Sequence, residues 1–273
     1  RVKSVDELID AVHEAFQIAT TGRPGPVVID IPVDVSASLY EGDIHKKVSL
    51  PGYKPTLRGN AKQIAQAVAA LKKAARPIIY AGGGVISAGA SGALKELAEL
   101  LEIPVVTTLM GRGAFPEDHV LWLGMPGMHG AKYTNFALTE ADLIFAIGVR
   151  FDDRVTGKVS KFAPHAKIIH ADIDPAEIGK IKEALIPIVG DAHDVLSKIV
   201  AALEKEQARS NTSAWLERID ENKAKYPLGI TQSGQTTINP VEFIRLLQKR
   251  AEKDGARVTY ATEVGQNQMW AAQ

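Results

Sequence analysis

No cysteine occurs among the 273 residues. Disulfides, thiolate catalysis and cysteine-bound metal are therefore excluded, and the composition fits a reducing compartment. Net charge is also missing, because 32 basic residues balance 32 acidic ones. That balance gives no electrostatic reason to expect nucleic acid or an anionic membrane as partner. No apolar run approaches the roughly 20 residues needed to span a bilayer. Internal repeats, low-complexity tracts and a signal-peptide pattern are not found either. The chain opens at Arg1 without an initiator methionine and stops inside what reads as an element, Trp270-Ala271-Ala272-Gln273. It is expected to be a piece of a longer polypeptide.

What is present is an ordinary globular composition, 45% hydrophobic and 23% charged, enough for one large or two ordinary domains. Apolar spacing predicts a helix over Ser4 to Ala19, with Ser4 and Glu7 as a capping box. A turn, TGRPGP, leads to an expected buried strand, VVIDIP, Val27 to Pro32. One helix and one strand cannot close a core, so these read as the tail of a domain. Residues 36–56 lack periodicity and read as a linker.

From Asn60 the pattern becomes helix-then-strand. The expected strands are Pro77 to Ala81, Pro104 to Thr108, Asp142 to Gly148, Lys167 to Ile173 and Ile186 to Gly190. Helices are expected near 61–74, 88–101, 131–140, 176–182 and 193–206. Short apolar strands between helices imply an α/β fold, a doubly wound parallel sheet covered on both faces. A connector over 207–238 holds a polar helix near 214–225. Asn239 as N-cap, Pro240 as first helical residue and Glu242 then predict a helix to about Lys253, followed by a strand, VTYA, Val258 to Ala261.

The densest chemistry is GVRFDDRVTGK, Gly148 to Lys158. It places Arg150, Asp152, Asp153 and Arg154 at the carboxyl end of a strand, where open α/β sheets bind ligands. Charge so concentrated is costly unless it is paired or serves an anionic ligand. The plainer alternative is a solvated ion-pair turn. Other strand ends carry related signals. Gly82, Gly83 and Gly84 could let backbone approach a phosphate, or could simply make a tight turn. Arg112 between Gly111 and Gly113 suits an anion or an ordinary surface loop. His129, in GMPGMHG, suits a backbone or stacking role better than catalysis, and no second histidine stands at metal spacing from it, so no metal site is proposed. Asp172 could hold ribose hydroxyls, while Asp174 and Asp191 could simply cap turns and helices. The coincidence of these tips suggests a dinucleotide-sized ligand.

In order, GRPGPVVIDIPVDV, GGGVISAGA, TTLMGRGAFPEDH, GMPGMHG, GVRFDDRVTGK, HADIDPAEIGK and EVGQNQMWAAQ resemble the acetolactate synthase family of thiamine-diphosphate enzymes. The resemblance covers essentially the whole chain, and RFDDR with GMHG is its most specific part. It implies residues 1–37 from the end of a pyrimidine-binding domain, a linker over 38–59, a Rossmann-like FAD-binding domain over 60–206, a connector over 207–238 and the start of a diphosphate-binding domain over 239–273. It implies an FAD site drawing on Arg23, Gly82, Gly83, Gly84, Thr108, Leu109, Met128, His129, Gly130, Gly148, Arg150, Asp152, Asp172, Ile173, Gly190 and Asp191. Arg154 would recognise the carboxylate of a second 2-ketoacid. Met110, Met128, Asp152 and Arg154 would line a substrate channel, and Gln266 and Gln268 would open the thiamine-diphosphate region.

The activity so implied is decarboxylation of pyruvate and condensation with a second 2-ketoacid, in branched-chain amino acid synthesis, with thiamine diphosphate, Mg2+ and a largely structural FAD. Family partners are a second copy of the chain and a regulatory small subunit, with a cytoplasmic location, or plastid or mitochondrion in a eukaryote. The family's cofactor-activating glutamate and its GDG…N metal motif are not in this stretch, so the stretch alone is expected to be inactive. The alternatives are a glyoxylate carboligase-like enzyme, a flavin- or NAD-linked oxidoreductase, and a non-catalytic nucleotide-binding module.

Overall fold

The computed structural model describes all residues except 46, 48, 210, 229–235 and 273. It divides into two compact units, Arg1–Arg58 and Gly59–Gln273.

In the first unit, α1 spans Val5–Thr20 and α2 spans Val33–Ser36. The expected capping box does not form. Ser4 makes no side-chain cap, and Glu7 instead accepts from the Lys3 amide at 3.0 Å. Nor is Val27 to Pro32 a buried strand. Val28 is 92% exposed, and the stretch is tied to another segment through the Val2 amide, which donates to the Asp30 carbonyl at 3.0 Å. A strand needs a neighbour to satisfy its backbone, and this unit contains no other strand among the described residues.

The second unit begins with α3 (Ala61–Lys73), capped by the Asn60 side chain, which accepts from the amides of Lys62 and Gln63. There follow β1 (Pro77–Ala81), α4 (Gly83–Ser87), α5 (Ser91–Leu101), β2 (Val105–Thr107), α6 (Lys132–Glu140), β3 (Leu143–Ile147), α7 (Asp153–Thr156), β4 (Lys167–Asp172), β5 (Ile186–Val189) and α8 (Ala192–Lys205). Then come α9 (Ser213–Lys225), α10 (Pro240–Lys253) and α11 (Gln266–Ala272). All strand pairings are parallel, in the order β2-β1-β3-β4-β5.

Alternate strand residues feed two cores. Ile79, Phe145, Ile169 and Ile188 face Leu94, Leu97, Val195 and Ile199 of α5 and α8. Ile78, Tyr80, Ile144 and Ile168 face Leu138 of α6 and Trp215 and Ile219 of α9. Each such fully buried aliphatic side chain contributes about 1.5–3 kcal/mol. The period of two thus carries the doubly wound architecture directly.

Three local expectations fail. The stretch after β1 is not an open glycine loop, because Gly83 already begins α4, and Gly89 (φ +61°) ends it before α5 starts at Ser91. No helix forms over 176–182, where Gly179 takes φ +76° and the chain runs in turns. Val258 to Ala261 is not a strand, and Val258 and Tyr260 are about half exposed with no strand pairing to them among the described residues.

The outer edge of β2 is covered by the segment 121–124. The Val105 amide donates to the Leu121 carbonyl, Leu123 to Val105, and Thr107 to Gly124, at 2.8, 2.9 and 3.1 Å. This parallel run delivers Gly124–Gly130 to the carboxyl side of the sheet.

Candidate functional site at the strand tips

The carboxyl ends of the five strands are stitched together by backbone. Gly82 donates to Ile147, Thr108 to Ala81, Gly148 to Ala171 and Gly190 to Asp172, all between 2.9 and 3.0 Å. Thr108, Gly82, Gly148, Asp172 and Gly190 therefore stand side by side, with Leu109 and Met110 opening a single 3-10 turn after Thr108. Met110 is 75% exposed.

The glycines here serve close packing. A methyl on Gly82 would lie 2.1 Å from the Gly148 carbonyl oxygen, and one on Gly84 would lie 2.7 Å from Gly148 Cα. Gly148 itself has φ +59°, a left-handed conformation that favours glycine. Of the two readings of Gly82 to Gly84, the tight junction accounts for them.

Past Gly148, the chain makes a second left-handed residue at Phe151, φ +50°, unusual for a bulky side chain. Phe151 is buried among three rings, edge-on to Tyr80, Phe162 and His170 at centroid distances of 5.7, 6.0 and 5.1 Å. This inward plug leaves Arg150, Asp152, Asp153 and Arg154 facing solvent. The Asp152 side chain caps α7 by accepting from the Arg154 amide at 3.0 Å. That bond, helped by Asp153, Arg150 and Arg154, holds the Asp152 carboxyl below its usual range despite some burial. Arg150 pairs with Asp152 at 3.8 Å across an exposed surface, so this half of the cluster is an ion-pair turn worth no more than about 1 kcal/mol. The Arg154 guanidinium, by contrast, has no ion pair within 4.0 Å among the described residues.

The Gly124–Gly130 loop docks onto this segment. The Met128 amide donates to the Arg154 carbonyl at 3.1 Å, and a methyl on Gly127 would lie 2.6 Å from the same oxygen. Asn135 on α6 grips Gly127 at both ends. Its Oδ1 accepts from the amide at 2.8 Å, and its Nδ2 donates to the carbonyl at 2.9 Å. Met128 and His129 are exposed beside Arg154. Sequence reasoning missed Asn135 and Phe151. The only hint was a large apolar residue inside a charged pentad.

On the β4 and β5 side, Asp172 is 8% exposed and accepts from the Asp174 amide, with Ile173 half-buried between them. Asp191 caps α8 by accepting from His193 and Asp194, and Asp174 caps the turn after Pro175 by accepting from Ala176. For Asp174 and Asp191 the capping alternative is therefore realised. Burial pushes the His170 imidazole down from its ordinary value, so the ring is neutral near pH 7. The Tyr80 phenol is pushed up, first by burial and then by the Asp152 carboxylate.

Arg112 is not a cation offered to a ligand. It binds Glu117 at 2.6 Å, lies over the Trp122 ring at 5.0 Å and donates to the Ala272 carbonyl of α11. Gln266 and Gln268 open α11. Arg23 lies exposed on the first unit's turn. No group of three or more potential metal ligands exists among the described residues.

A parallel sheet with charged, glycine-jointed tips matches a known class. Residues 64–199 match the family model of the thiamine pyrophosphate enzyme central domain. Along its whole length the chain is a homologue of acetolactate synthase large subunits. It is 50% identical over 280 residues to a protein of Methanocaldococcus jannaschii named a probable acetolactate synthase large subunit, covering all of this chain and 47% of that protein. It is 48% identical over 273 residues to the acetolactate synthase large subunit of Corynebacterium glutamicum, covering all of this chain and 43% of that one. A third relative, from Parasynechococcus marenigrum, is 46% identical over 275 residues, covering 100% of this chain and 44% of its own length. The chain thus spans less than half the length of the curated relatives it matches.

Proposed function

We propose that the chain is the central part of an acetolactate synthase large subunit, which joins decarboxylated pyruvate to a second 2-ketoacid in branched-chain amino acid synthesis. The observation that carries this is the exposed Arg154 guanidinium at the sheet's switch point, without an ion pair among the described residues, in a chain 50% identical to a named large subunit. A planar guanidinium binds a carboxylate through two parallel hydrogen bonds, which suits a 2-ketoacid. Met110 and Met128 supply a soft, exposed apolar wall, and Asp152 orients the segment by capping α7. The carbon–carbon chemistry is supplied by thiamine diphosphate with Mg2+, toward which Gln266 and Gln268 are the contribution of this chain. The oxidoreductase and carboligase alternatives have no observation that favours them.

FAD is the further cofactor of this reading. The fit is one of topology and charge. If the segment 121–124 is counted as a strand, the order becomes 3-2-1-4-5-6, that of dinucleotide-binding doubly wound sheets, with the switch point between β1 and β3. Asp172, nearly buried at a strand end, suits ribose hydroxyls, and Arg150, whose exposed 3.8 Å pairing with Asp152 is weak, can still turn to a phosphate. The glycines add no support, since backbone packing already accounts for them. Thr108, Leu109, His129, Gly130, Ile173, Gly190 and Asp191 are the further candidates of the second unit and Arg23 is the candidate of the first, and the domain limits 1–37, 38–59, 60–206, 207–238 and 239–273 belong to the same reading. The large-subunit name of the relatives supports a small regulatory subunit as partner, and a second copy of the chain is the other partner of this reading.

The test uses the full-length protein containing this chain, assayed for acetolactate from pyruvate with thiamine diphosphate, Mg2+ and FAD. Acetolactate formation with a flavin absorption band in the purified protein is the expected result. A protein that binds flavin and reduces it at catalytic rates with substrate, forming no acetolactate, sinks the reading.

A further inference from the structure

We infer that His170 is the positioning residue of the Arg150–Arg154 segment. The inference rests on the proposed role of Arg154 and assigns what holds it in place. His170 lies mid-strand in β4, 0% exposed, paired in register with Ala146 of β3 and Pro187 of β5. Its Nε2 meets the Val149 carbonyl at 2.9 Å. A carbonyl can only accept, so the proton is fixed on Nε2 and Nδ1 carries the lone pair. Nδ1 is buried and has no hydrogen-bond partner. A buried acceptor left unpaired is costly, and a smaller or wholly apolar residue would avoid that cost. Histidine at this position is therefore accounted for by what its other edge does.

That other edge acts on a strained backbone. Val149 and Arg150 lie between two left-handed residues, Gly148 at φ +59° and Phe151 at φ +50°. Phe151 is the one that needs holding, because a bulky side chain in that region persists only when its surroundings over-determine it. His170 supplies two constraints at once. It binds the carbonyl of Val149, and its ring packs at 88° against Phe151 with centroids 5.1 Å apart. Phe151 faces inward as a result, and the cap at Asp152 then sets the direction of α7, which begins one residue before Arg154. Tyr80 and Phe162 close the cage from the other sides, but no hydrogen bond links either of them to this backbone.

The experiment compares His170→Phe, which keeps a ring and removes the donor, with His170→Gln, which keeps a donor near the Nε2 position. Both are made in the full-length protein. Two readouts are taken: KM and kcat for the second 2-ketoacid, and amide hydrogen exchange over residues 148–156, which needs no substrate. His170→Phe is expected to raise exchange in 148–156 but not in β1, and to raise that KM roughly threefold to tenfold with kcat within about twofold, the span of one hydrogen bond. His170→Gln is expected to recover most of both. If His170→Phe loosens the whole sheet, or lowers kcat at unchanged KM, the positioning role is overturned. If His170→Gln behaves like His170→Phe in exchange, the hydrogen bond is not the tether and the role is likewise overturned. Absence of acetolactate from the unmodified protein, with exchange responding as expected, overturns the parent function and leaves the tether standing.

Discussion

Gly82 and Gly148 touch backbone to backbone: a methyl on the first would stand 2.1 Å from the carbonyl oxygen of the second. The central strands β1 and β3 can turn away from each other only because neither residue has a side chain. Gly82→Ala is therefore expected to destabilise the protein by about 1–3 kcal/mol through overpacking. Gly148→Ala adds about 1–2 kcal/mol for the left-handed backbone. Gly92, exposed on α5 with nothing within 4 Å of its missing Cβ, is the control, and Gly92→Ala should gain about 0.5–1 kcal/mol. Urea midpoints at constant slope measure all three, and a neutral Gly82→Ala would remove the packing account of the glycines.

Arg154 is exposed, and its guanidinium is spared from the neighbouring ion pair. Its replacement should cost function without costing stability. Arg154→Ala is expected to raise KM for the second 2-ketoacid roughly 10- to 150-fold, the worth of about 1.5–3 kcal/mol in charged hydrogen bonds. Arg154→Lys should fall between, since it keeps the charge and loses the fork. Stability should stay within about 0.5 kcal/mol. Steady-state kinetics with pyruvate and 2-ketobutyrate, alongside thermal melts, test the split. An unchanged KM in Arg154→Ala removes this residue from substrate recognition.

Much of this was legible in the sequence, and the exceptions share a cause. PIIYA and LIFAI are continuous apolar runs, so their burial on both faces follows from composition alone. VVIDIP and VTYA have strand-like residues too, yet Val28 and Val258 are exposed, because a strand is a property of a pair. Charge at the tip of β3 pointed to the site, but residue types could not say that Arg150 is paired while Arg154 has no ion pair among the described residues. Arg112 looked like a ligand-binding cation because Glu117 and Trp122 meet it only in three dimensions. Phe151 was hidden by its charged neighbours, although its burial is what turns those neighbours outward.

Asp152 makes the stability of α7 pH-dependent. Its carboxyl is held below the ordinary value of 3.8, first by the bond from the Arg154 amide. A lowered folded-state pKa means that the unfolded chain takes up the proton first as acid is added. The contribution is then complete above the unfolded value and is lost as pH falls through the folded one. Asp152→Asn keeps an N-cap oxygen but not the charge. The wild type should be the more stable protein at neutral pH, and the gap should close as pH drops below about 4. Because the side chain is 46% exposed, the gap should also shrink in high salt. Paired urea titrations across that range decide it, and a gap that widens in acid contradicts the assigned sign.

The loop that carries Met128 and His129 is clamped by α6 in addition to its internal Gly130 to Gly127 hydrogen bond. Two successive α6 residues hold it. The Thr134 hydroxyl donates to the Leu123 carbonyl, and Asn135 bonds both the amide and the carbonyl of Gly127. Gly127 has φ +101°, its carbonyl also accepts from the Gly130 amide at 3.1 Å, and its amide relies on the Asn135 side chain in place of a strand or helix partner. Asn135→Asp keeps the acceptor, loses the donor and sets a carboxylate against the Gly127 carbonyl. Asn135→Leu loses both bonds. Each is expected to cost about 1–3 kcal/mol locally, the penalty for stranding half-buried polar groups. The loss should appear as faster amide exchange over 124–130, with β3 still protected, because the Met128 amide is the loop's remaining hydrogen bond to the Arg154 backbone. If exchange over 124–130 stays slow in both variants, the loop is held by the sheet edge at 121–124, and Asn135 is not its clamp.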